Sequence, residues 1–358
     1  MLETMNFFSN VYYEDSNKEA IFKKVTDICK ENNFLNIGII VDSGVYSSDT
    51  YKEFEIFLTN NGLNLTWVYK DTPAIEPTYD LVDDISFTCK QHILDALFGI
   101  GGGSIMDIAK GLGIFYKNGG KSIDYRGMNK VKVEGLPVIL FPTTAGTGSE
   151  VTKTASFIDT KSQTKLGING KYVNCFCAFL IPQFLYSCPK MVLYSSILDA
   201  LVHAYEAITS KASNSVSKDF GMLALNKIRN ASKNDNLGGE LMLGSYYAGL
   251  AMSIAGGGIS SGVSYPLGVH YKIPHGVAGG IFLPKVYEYS NLCLEPLQSV
   301  LKLISLDEIK KKYFSNMNES DITFLTNITL EQRKQNMELN SFNVDFNILY
   351  NIIKESLL

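Results

Sequence analysis

The pattern of apolar and polar positions changes character once along the chain. From Glu19 to about Phe141, short apolar runs of strand length alternate with amphipathic stretches of helical period. The spacing predicts a helix over 19–32, a strand over 37–41, a helix over 50–61 and a strand over 65–69. It continues with a helix over 79–90, a strand over 96–100, a helix over 105–115 and a strand over 136–141. Strand and helix in turn predict a parallel sheet covered by helices on both faces. From about Ile181 the periods are helical throughout, with many small residues between Gly239 and Gly280. The expected fold is an α/β domain with a parallel sheet over residues 1–180, followed by an all-α domain over residues 181–358. Residues 229–239 read as a polar surface loop, and the last fifty or so as peripheral helices.

Composition narrows the classes of function. A chain of 358 residues with 46% hydrophobic content has enough apolar material for two cores. Its 32 Lys and Arg against 36 Asp and Glu give a formal net charge of -4, so no broad basic field exists to attract a phosphate backbone, and nucleic acid is excluded as a principal partner. Residues 1–10 lack a charged start followed by a long apolar stretch, and no membrane-spanning run is expected elsewhere; the expected location is the cytoplasm. The six cysteines, at 29, 89, 175, 177, 188 and 293, are scattered as reduced thiols are. Cys175 and Cys177 stand closer than the cysteines of a zinc knuckle; on a strand both would face one side, and core packing is expected of them.

The most informative stretch is Ala96-Leu97-Phe98-Gly99-Ile100-Gly101-Gly102-Gly103-Ser104-Ile105-Met106-Asp107-Ile108-Ala109-Lys110. It reads as a buried strand, a glycine turn, and a helix starting at Ser104. Without side chains, Gly101, Gly102 and Gly103 let backbone amides approach a diphosphate, and the helix N-terminus adds uncompensated N–H groups. That is the cradle of a Rossmann-like dinucleotide-binding domain, although three glycines also make a plain strand-to-helix turn. Asp42 ends the strand over 37–41, where a carboxylate can accept hydrogen bonds from an adenosine ribose and repel the extra phosphate of NADP. NAD is thereby favoured over NADP, unless Asp42 only caps the helix that follows. Next comes Phe141-Pro142-Thr143-Thr144-Ala145-Gly146-Thr147-Gly148-Ser149-Glu150-Val151-Thr152. Its hydroxyls suit a ribose, a diphosphate or a carboxamide, and equally a Ser/Thr turn.

In this order and spacing, the glycine run and the Pro-Thr-Thr-Ala-Gly-Thr-Gly-Ser-Glu-Val-Thr loop resemble the iron-containing alcohol dehydrogenases. Asp199-Ala200-Leu201-Val202-His203-Ala204-Tyr205-Glu206 and Pro274-His275-Gly276-Val277-Ala278 resemble that family's ligand-bearing helix and its Pro-His-Gly signature. The similarity runs from about Asn36 to Pro284. It implies a nicotinamide-dependent oxidoreductase and a homodimer. Asp42, Gly101, Gly102, Gly103, Ser104, Asp107, Thr143, Thr144, Thr147 and Lys165 are its expected coenzyme residues. A second likeness, carried by Glu76-Pro77-Thr78, Asp124-Tyr125-Arg126-Gly127, Lys165-Leu166-Gly167-Ile168-Asn169 and Ser264-Tyr265, is to enzymes that oxidise the terminal alcohol of a 3-deoxy-octulosonate. It implies a sugar- or polyol-derived substrate of the kind met in surface polysaccharide synthesis.

The family resemblance also implies a divalent ion, iron or zinc, held by an Asp and a His one helical turn apart and by two later His. Asp199 and His203 match the first pair, whose i, i+4 spacing puts both side chains on one helix face. His275 matches the last. The remaining ligand should lie fourteen residues before His275, and Ser261 stands there, a poor substitute for imidazole. Where the family often carries another histidine this chain has Tyr265, while His270 is new by comparison. Either a weakened site remains, built from Asp199, His203 and His275 with water or His270, or the chain works without metal. A metal-free enzyme needs a proton acceptor, for which His275, His270 and Tyr265 are the candidates. Two rival readings remain at this level: an NAD-using lyase or cyclase of the dehydroquinate-synthase type, and a silent nucleotide-binding protein. An Asp–His pair at this spacing is also compatible with a buried hydrogen-bonded pair and no ion.

Overall fold

The computed structural model describes residues 9–71, 76–231, 237–290, 292, 294–302 and 304–358. Cys293, most of the N-terminal decapeptide and the middle of the polar 229–239 segment lie outside them. Two compact units emerge. The first comprises residues up to Thr144, Ser149–Ser162 and Leu166–Pro189; the second comprises Ala145–Gly148, Gln163–Lys165 and Lys190–Leu358. The division therefore falls after Pro189 rather than at 180. A last sheet strand ends at Leu180, and the short turn that follows it buries Phe184 in the same core.

The first unit is built in the order β1 (Asn10–Tyr13), α1 (Lys18–Glu31), β2 (Asn36–Val41), α2 (Ser43–Tyr46), α3 (Asp49–Asn60), β3 (Asn64–Lys70), α4 (Tyr79–Cys89), β4 (Ala96–Gly101) and α5 (Gly103–Asn118). It continues with β5 (Gly127–Met128), β6 (Val138–Pro142), β7 (Thr154–Asp159), β8 (Thr164–Asn169) and β9 (Cys177–Leu180). Six strands form one sheet in the order β1-β9-β6-β4-β2-β3, with every pairing parallel. Successive side chains feed opposite cores. On β6, Val138 and Leu140 join α4 and α5 on one face, while Ile139 and Phe141 join α1 and α3 on the other. This double burial explains the unbroken apolar runs. A second sheet, β5-β8-β7, was not foreseen, since its strands are short and mixed in polarity.

The two neighbouring cysteines also differ from expectation. Cys175 lies before β9 begins and packs into the α4/α5 core, whereas Cys177 opens the strand and packs into the α1/α3 core. Strand alternation does not apply to a pair of which only one member is in the strand. Both are free thiols, and burial raises each well above the ordinary thiol range.

The second unit holds α6 (Lys190–Thr209), α7 (Ser215–Ala231), α8 (Leu237–Ala255), α9 (Ile259–Tyr271), α10 (His275–Gly280) and α11 (Leu283–Ser290). It ends with α12 (Glu295–Leu301), α13 (Leu306–Tyr313), α14 (Glu319–Gln332), α15 (Lys334–Glu338) and α16 (Phe346–Leu357). Helix α6 is long and apolar enough to cross a membrane, contrary to the expectation that no such run exists. Yet most of it is buried, and Asp199, His203 and Glu206 lie on it. It is a core helix.

Behind the glycine turn, Asp107 and Lys110 tie α5 to the segment after the hydroxyl loop. The Ser149 hydroxyl donates to Asp107 Oδ1 at 2.6 Å, the Ser156 amide donates to Oδ2 at 2.9 Å, and Lys110 Nζ donates to the Ser149 carbonyl at 2.9 Å. Next to them Glu150 is wholly buried, which raises its carboxyl to about 7 despite the pull of Lys110. Its folded-state value thus lies above that of an unfolded carboxylate, about 4.3. The stability tied to its proton is full below that value and is lost as pH rises towards 7. Glu150→Gln should therefore gain on the natural protein between about pH 5 and pH 8, by on the order of 3 kcal/mol at the upper end. Thermal melts across that range check this, and parallel profiles for the two proteins would refute it.

Candidate functional site

In the first unit, β4 delivers the chain into α5 through Gly102, which occupies the N-cap position with no side-chain cap hydrogen bond. Gly102, Gly103 and Ser104 are part-exposed, so the first-turn amides of α5 open to solvent. The glycines differ in use. A Cβ on Gly101 would stand 2.6 Å from Ile105, so its absence lets strand and helix close together, whereas a Cβ on Gly102 would meet the Thr144 hydroxyl at 3.2 Å. Thr144 thus borders the turn, and Thr143 is buried with its amide donating to the Gly101 carbonyl at 3.1 Å. Asp107 faces inward and positions the loop, as described above. Asp42 sits at the carboxyl end of β2 and caps α2 by accepting from the Gly44 amide at 2.9 Å.

In the second unit, Ala145–Gly148 packs on helix backbone. A Cβ on Gly146 would be 2.6 Å from the Ser196 carbonyl oxygen, and one on Gly148 would be 2.5 Å from Gly249 Cα. The loop's glycines serve close packing, and Thr147 is its part-exposed hydroxyl.

Asp199 and His203 rise from one face of α6, both buried. His275 opens α10, which lies flush on α6 because Gly276 and Gly280 have no side chains. A Cβ on Gly276 would overlap the Ser195 carbonyl oxygen and stand 2.7 Å from its carbon, and one on Gly280 would be 2.6 Å from Leu198 Cβ. The result gathers three donor groups within 4.8 Å of one another. His203 Nε2 is 3.5 Å and His275 Nε2 3.9 Å from the same oxygen, Asp199 Oδ1. Those separations are long for direct hydrogen bonds. They suit ligands of one ion, since two donors each about 2.1 Å from a tetrahedral centre stand about 3.4 Å apart. Burial, and then the charge of Lys165, lowers His275 to about 3 against the opposite pull of Asp199; its imidazole is neutral and offers a lone pair. The donor set therefore fits a divalent cation.

Ser261, at the position expected to supply the remaining ligand, engages a carboxylate instead. Its hydroxyl donates to Glu206 Oε2 at 2.5 Å, and the Gly258 amide donates to the same oxygen at 2.7 Å. Burial raises the Glu206 carboxyl above the ordinary range. The histidine introduced at 270 packs its ring edge-on against Phe324, with centroids 5.0 Å apart, and is not one of the three clustered donors. Tyr265 does lie beside the site, edge-on to His275 at 5.3 Å. Lys165 Nζ is 5.1 Å from the Tyr265 ring centre, and the Arg333 guanidinium stacks 3.6 Å from it. Sequence reasoning passed over Arg333 and Glu206, the first because the C-terminal segment carries no motif, the second because it looked like an ordinary helical residue.

Comparison with known proteins places both parts of the chain in one family. Residues 17–182 match the model of the iron-containing alcohol dehydrogenase family, and residues 193–344 match that family's C-terminal domain. The chain belongs to the iron-containing alcohol dehydrogenase family. It is an NAD-dependent oxidoreductase of that kind. It is 30% identical to the NAD-dependent methanol dehydrogenase of Bacillus methanolicus over 70% of this chain and 68% of that one. It is also 30% identical to the lactaldehyde reductase of Escherichia coli strain K12, over 74% and 71% respectively. The fold superposes with a TM-score of 0.84 on the sulfoacetaldehyde reductase of Bifidobacterium kashiwanohense, solved in complex with NAD+, at 21% identity over 100% of this chain and 99% of that one.

Elemental analysis after loading with iron or zinc tests the centre. Asp199→Ala and Gly276→Ala should each lower metal affinity by more than about tenfold, one by removing a ligand and the other by displacing His275. Ser261→Ala should leave affinity close to that of the natural protein while destabilising the fold by about 1–3 kcal/mol, because Glu206 loses a donor. Metal loss in Ser261→Ala would show that its hydroxyl is a ligand after all.

Proposed function

We propose that this protein interconverts a terminal alcohol and an aldehyde on a small hydroxylated substrate, sugar- or polyol-derived, with NAD rather than NADP as the hydride carrier. The observation that carries the proposal is the convergence of Asp199, His203 and His275 on one point in the second unit; the first unit separately presents a part-exposed glycine turn at the start of α5. Asp199, His203 and His275 would hold the divalent ion, which when bound lowers the pKa of the alcohol oxygen as a Lewis acid. The neutral His275 ring keeps its lone pair for that task. The amides from Gly102 to Ser104 take the coenzyme diphosphate, and Thr144 and Thr147 contribute hydroxyls. The alcohol gives up a proton and passes hydride to nicotinamide C4, so that alcohol and NAD+ become aldehyde, NADH and H+. Asp42, at the end of β2, supports the preference for NAD through repulsion of a 2′-phosphate.

Of the stretches that resemble the octulosonate enzymes, Lys165 and Tyr265 stand beside His275. Tyr125 and Arg126 have structural partners instead: the Tyr125 hydroxyl donates to the Gly119 carbonyl at 3.0 Å, and Arg126 pairs with Asp159 at 2.9 Å. A homodimer, a cytoplasmic location and a place in surface polysaccharide synthesis belong to the proposal through resemblance, with the free buried thiols also in keeping with a reducing compartment.

Steady-state NADH absorbance with a panel of hydroxyaldehydes and polyols tests the reaction. Continuous NADH loss with an aldehyde is expected, and Asp42→Ala should raise the use of NADPH relative to NADH by more than about tenfold. Coenzyme binding with no net change in NADH on any substrate would favour a lyase or a silent binding protein.

A further inference from the structure

Of the three donor groups at the centre, His275 is the least enclosed. Asp199 and His203 sit one turn apart on α6 with 6% and 9% of their side chains exposed, whereas His275 enters from α10 and keeps 22%. The glycine contacts of α10 fix the backbone there, and the direction of the imidazole depends on what its ring touches. It touches Tyr265, at a centroid distance of 5.3 Å and an interplanar angle of 87°. That is the edge-to-face arrangement an aromatic pair prefers. Tyr265 is itself clamped. The Arg333 guanidinium is centred 3.6 Å from its ring centre, and Lys165 Nζ stands 5.1 Å from it, both within cation–π range. Arg333 Nη2 also donates to the Lys165 backbone carbonyl. Where α14 meets α15, the Arg333 amide donates to the Thr329 carbonyl at 2.8 Å, and its carbonyl accepts from the Met337 amide at 3.2 Å. Gly262, one turn before Tyr265 on α9, makes this approach possible: a Cβ there would stand 2.7 Å from Met337 Cε and 3.2 Å from Asn336 Cβ. Both cations are thereby committed to the protein's own ring and backbone.

We infer that Tyr265 is a positioning residue for the metal centre: its ring, clamped by Arg333 and Lys165, fixes the orientation of the His275 imidazole, so that a residue of the C-terminal segment helps to set how tightly the divalent ion is held. This rests on the metal-dependent reading of the site. A ligand ring aimed in advance loses little rotational freedom when the ion arrives, which tightens binding without any contact between Tyr265 and the ion. The ring carries the effect rather than the hydroxyl, since its contacts with His275, Arg333 and Lys165 are all made by the ring. A purely electrostatic role would have the opposite sign, because two cations near the centre repel a dication and removal of one should strengthen binding. Replacing arginine by lysine keeps the charge and gives up the planar stack, which separates the two effects.

Titration of the full-length, metal-free protein with cobalt(II), followed by visible absorption, reads affinity and coordination geometry together. The natural protein should bind cobalt, and Asp199→Ala should bind it more than about tenfold more weakly. Tyr265→Phe, which keeps the ring, should match the natural affinity and spectrum. Tyr265→Leu and Arg333→Lys should each weaken binding by about three- to tenfold and alter the visible band. The double variant should be no weaker than Tyr265→Leu, because both changes act through one ring. Thermal melting of each metal-free variant confirms folding; should Tyr265→Leu not fold, Arg333→Lys against the natural protein decides. Natural affinity in Tyr265→Leu or in Arg333→Lys would overturn the inference, as would a loss in Tyr265→Phe equal to that in Tyr265→Leu, or additive losses in the double variant. In any of those cases, cobalt binding that still depends on Asp199 leaves the metal centre standing. A natural protein that takes up no cobalt removes the centre and, with it, the role of Tyr265.

Discussion

The second unit depends on the contact of α10 with α6, which lie so close that two positions of α10 leave no room for a side chain. Gly276 and Gly280, four residues apart, present bare backbone to Ser195 and Leu198. Packed interiors do not yield to an extra carbon without moving a helix. That closeness brings the first residue of α10, His275, to the oxygen of Asp199 that His203 already approaches from one turn further along α6. The Pro-His-Gly run therefore carries a candidate ligand together with the condition for its placement.

Much else follows from the same crowding. Desolvation of its ring keeps the part-exposed His275 imidazole neutral, and the cations on Tyr265 push in the same direction. Neutrality is what a ligand histidine requires, because a protonated ring has no lone pair to give. In the first unit, the equivalent economy of space appears at Gly101, which lets β4 and α5 approach and leaves the turn at Gly102 open. The Asp107–Lys110 pair then fixes the following loop from behind, a structural office for residues whose motif suggested contact with the coenzyme.

The departure at Ser261 is a local rewiring. A carboxylate buried at Glu206 needs donors, and Ser261 with the amide of Gly258 provides them. Ser261 thus ties α9 to Glu206 of α6, and it is not among the three clustered donor groups. On the far side of α9, the C-terminal segment supplies Arg333, Asn336 and Met337 over Gly262. Residues without any motif thus pack on α9, the helix that carries Tyr265.

By itself, the sequence determined the alternation of strand and helix through Phe141, the glycine turn before α5 and the placing of Asp199 and His203 on one helix face, while its motifs pointed to the family and, through that resemblance alone, to His275. The first three are properties of local spacing, where periods of two and of about 3.6 residues and an i, i+4 pair are written along the chain. It did not contain the second sheet, the opposite burial of Cys175 and Cys177, the packing of His270 on Phe324, or the gathering of Lys165 and Arg333 at Tyr265. Each of those depends on which distant segments come to share a core or a surface. Contacts between positions remote in sequence leave no periodic mark, so only the folded structure could decide whether His270 or Arg333 would reach the site.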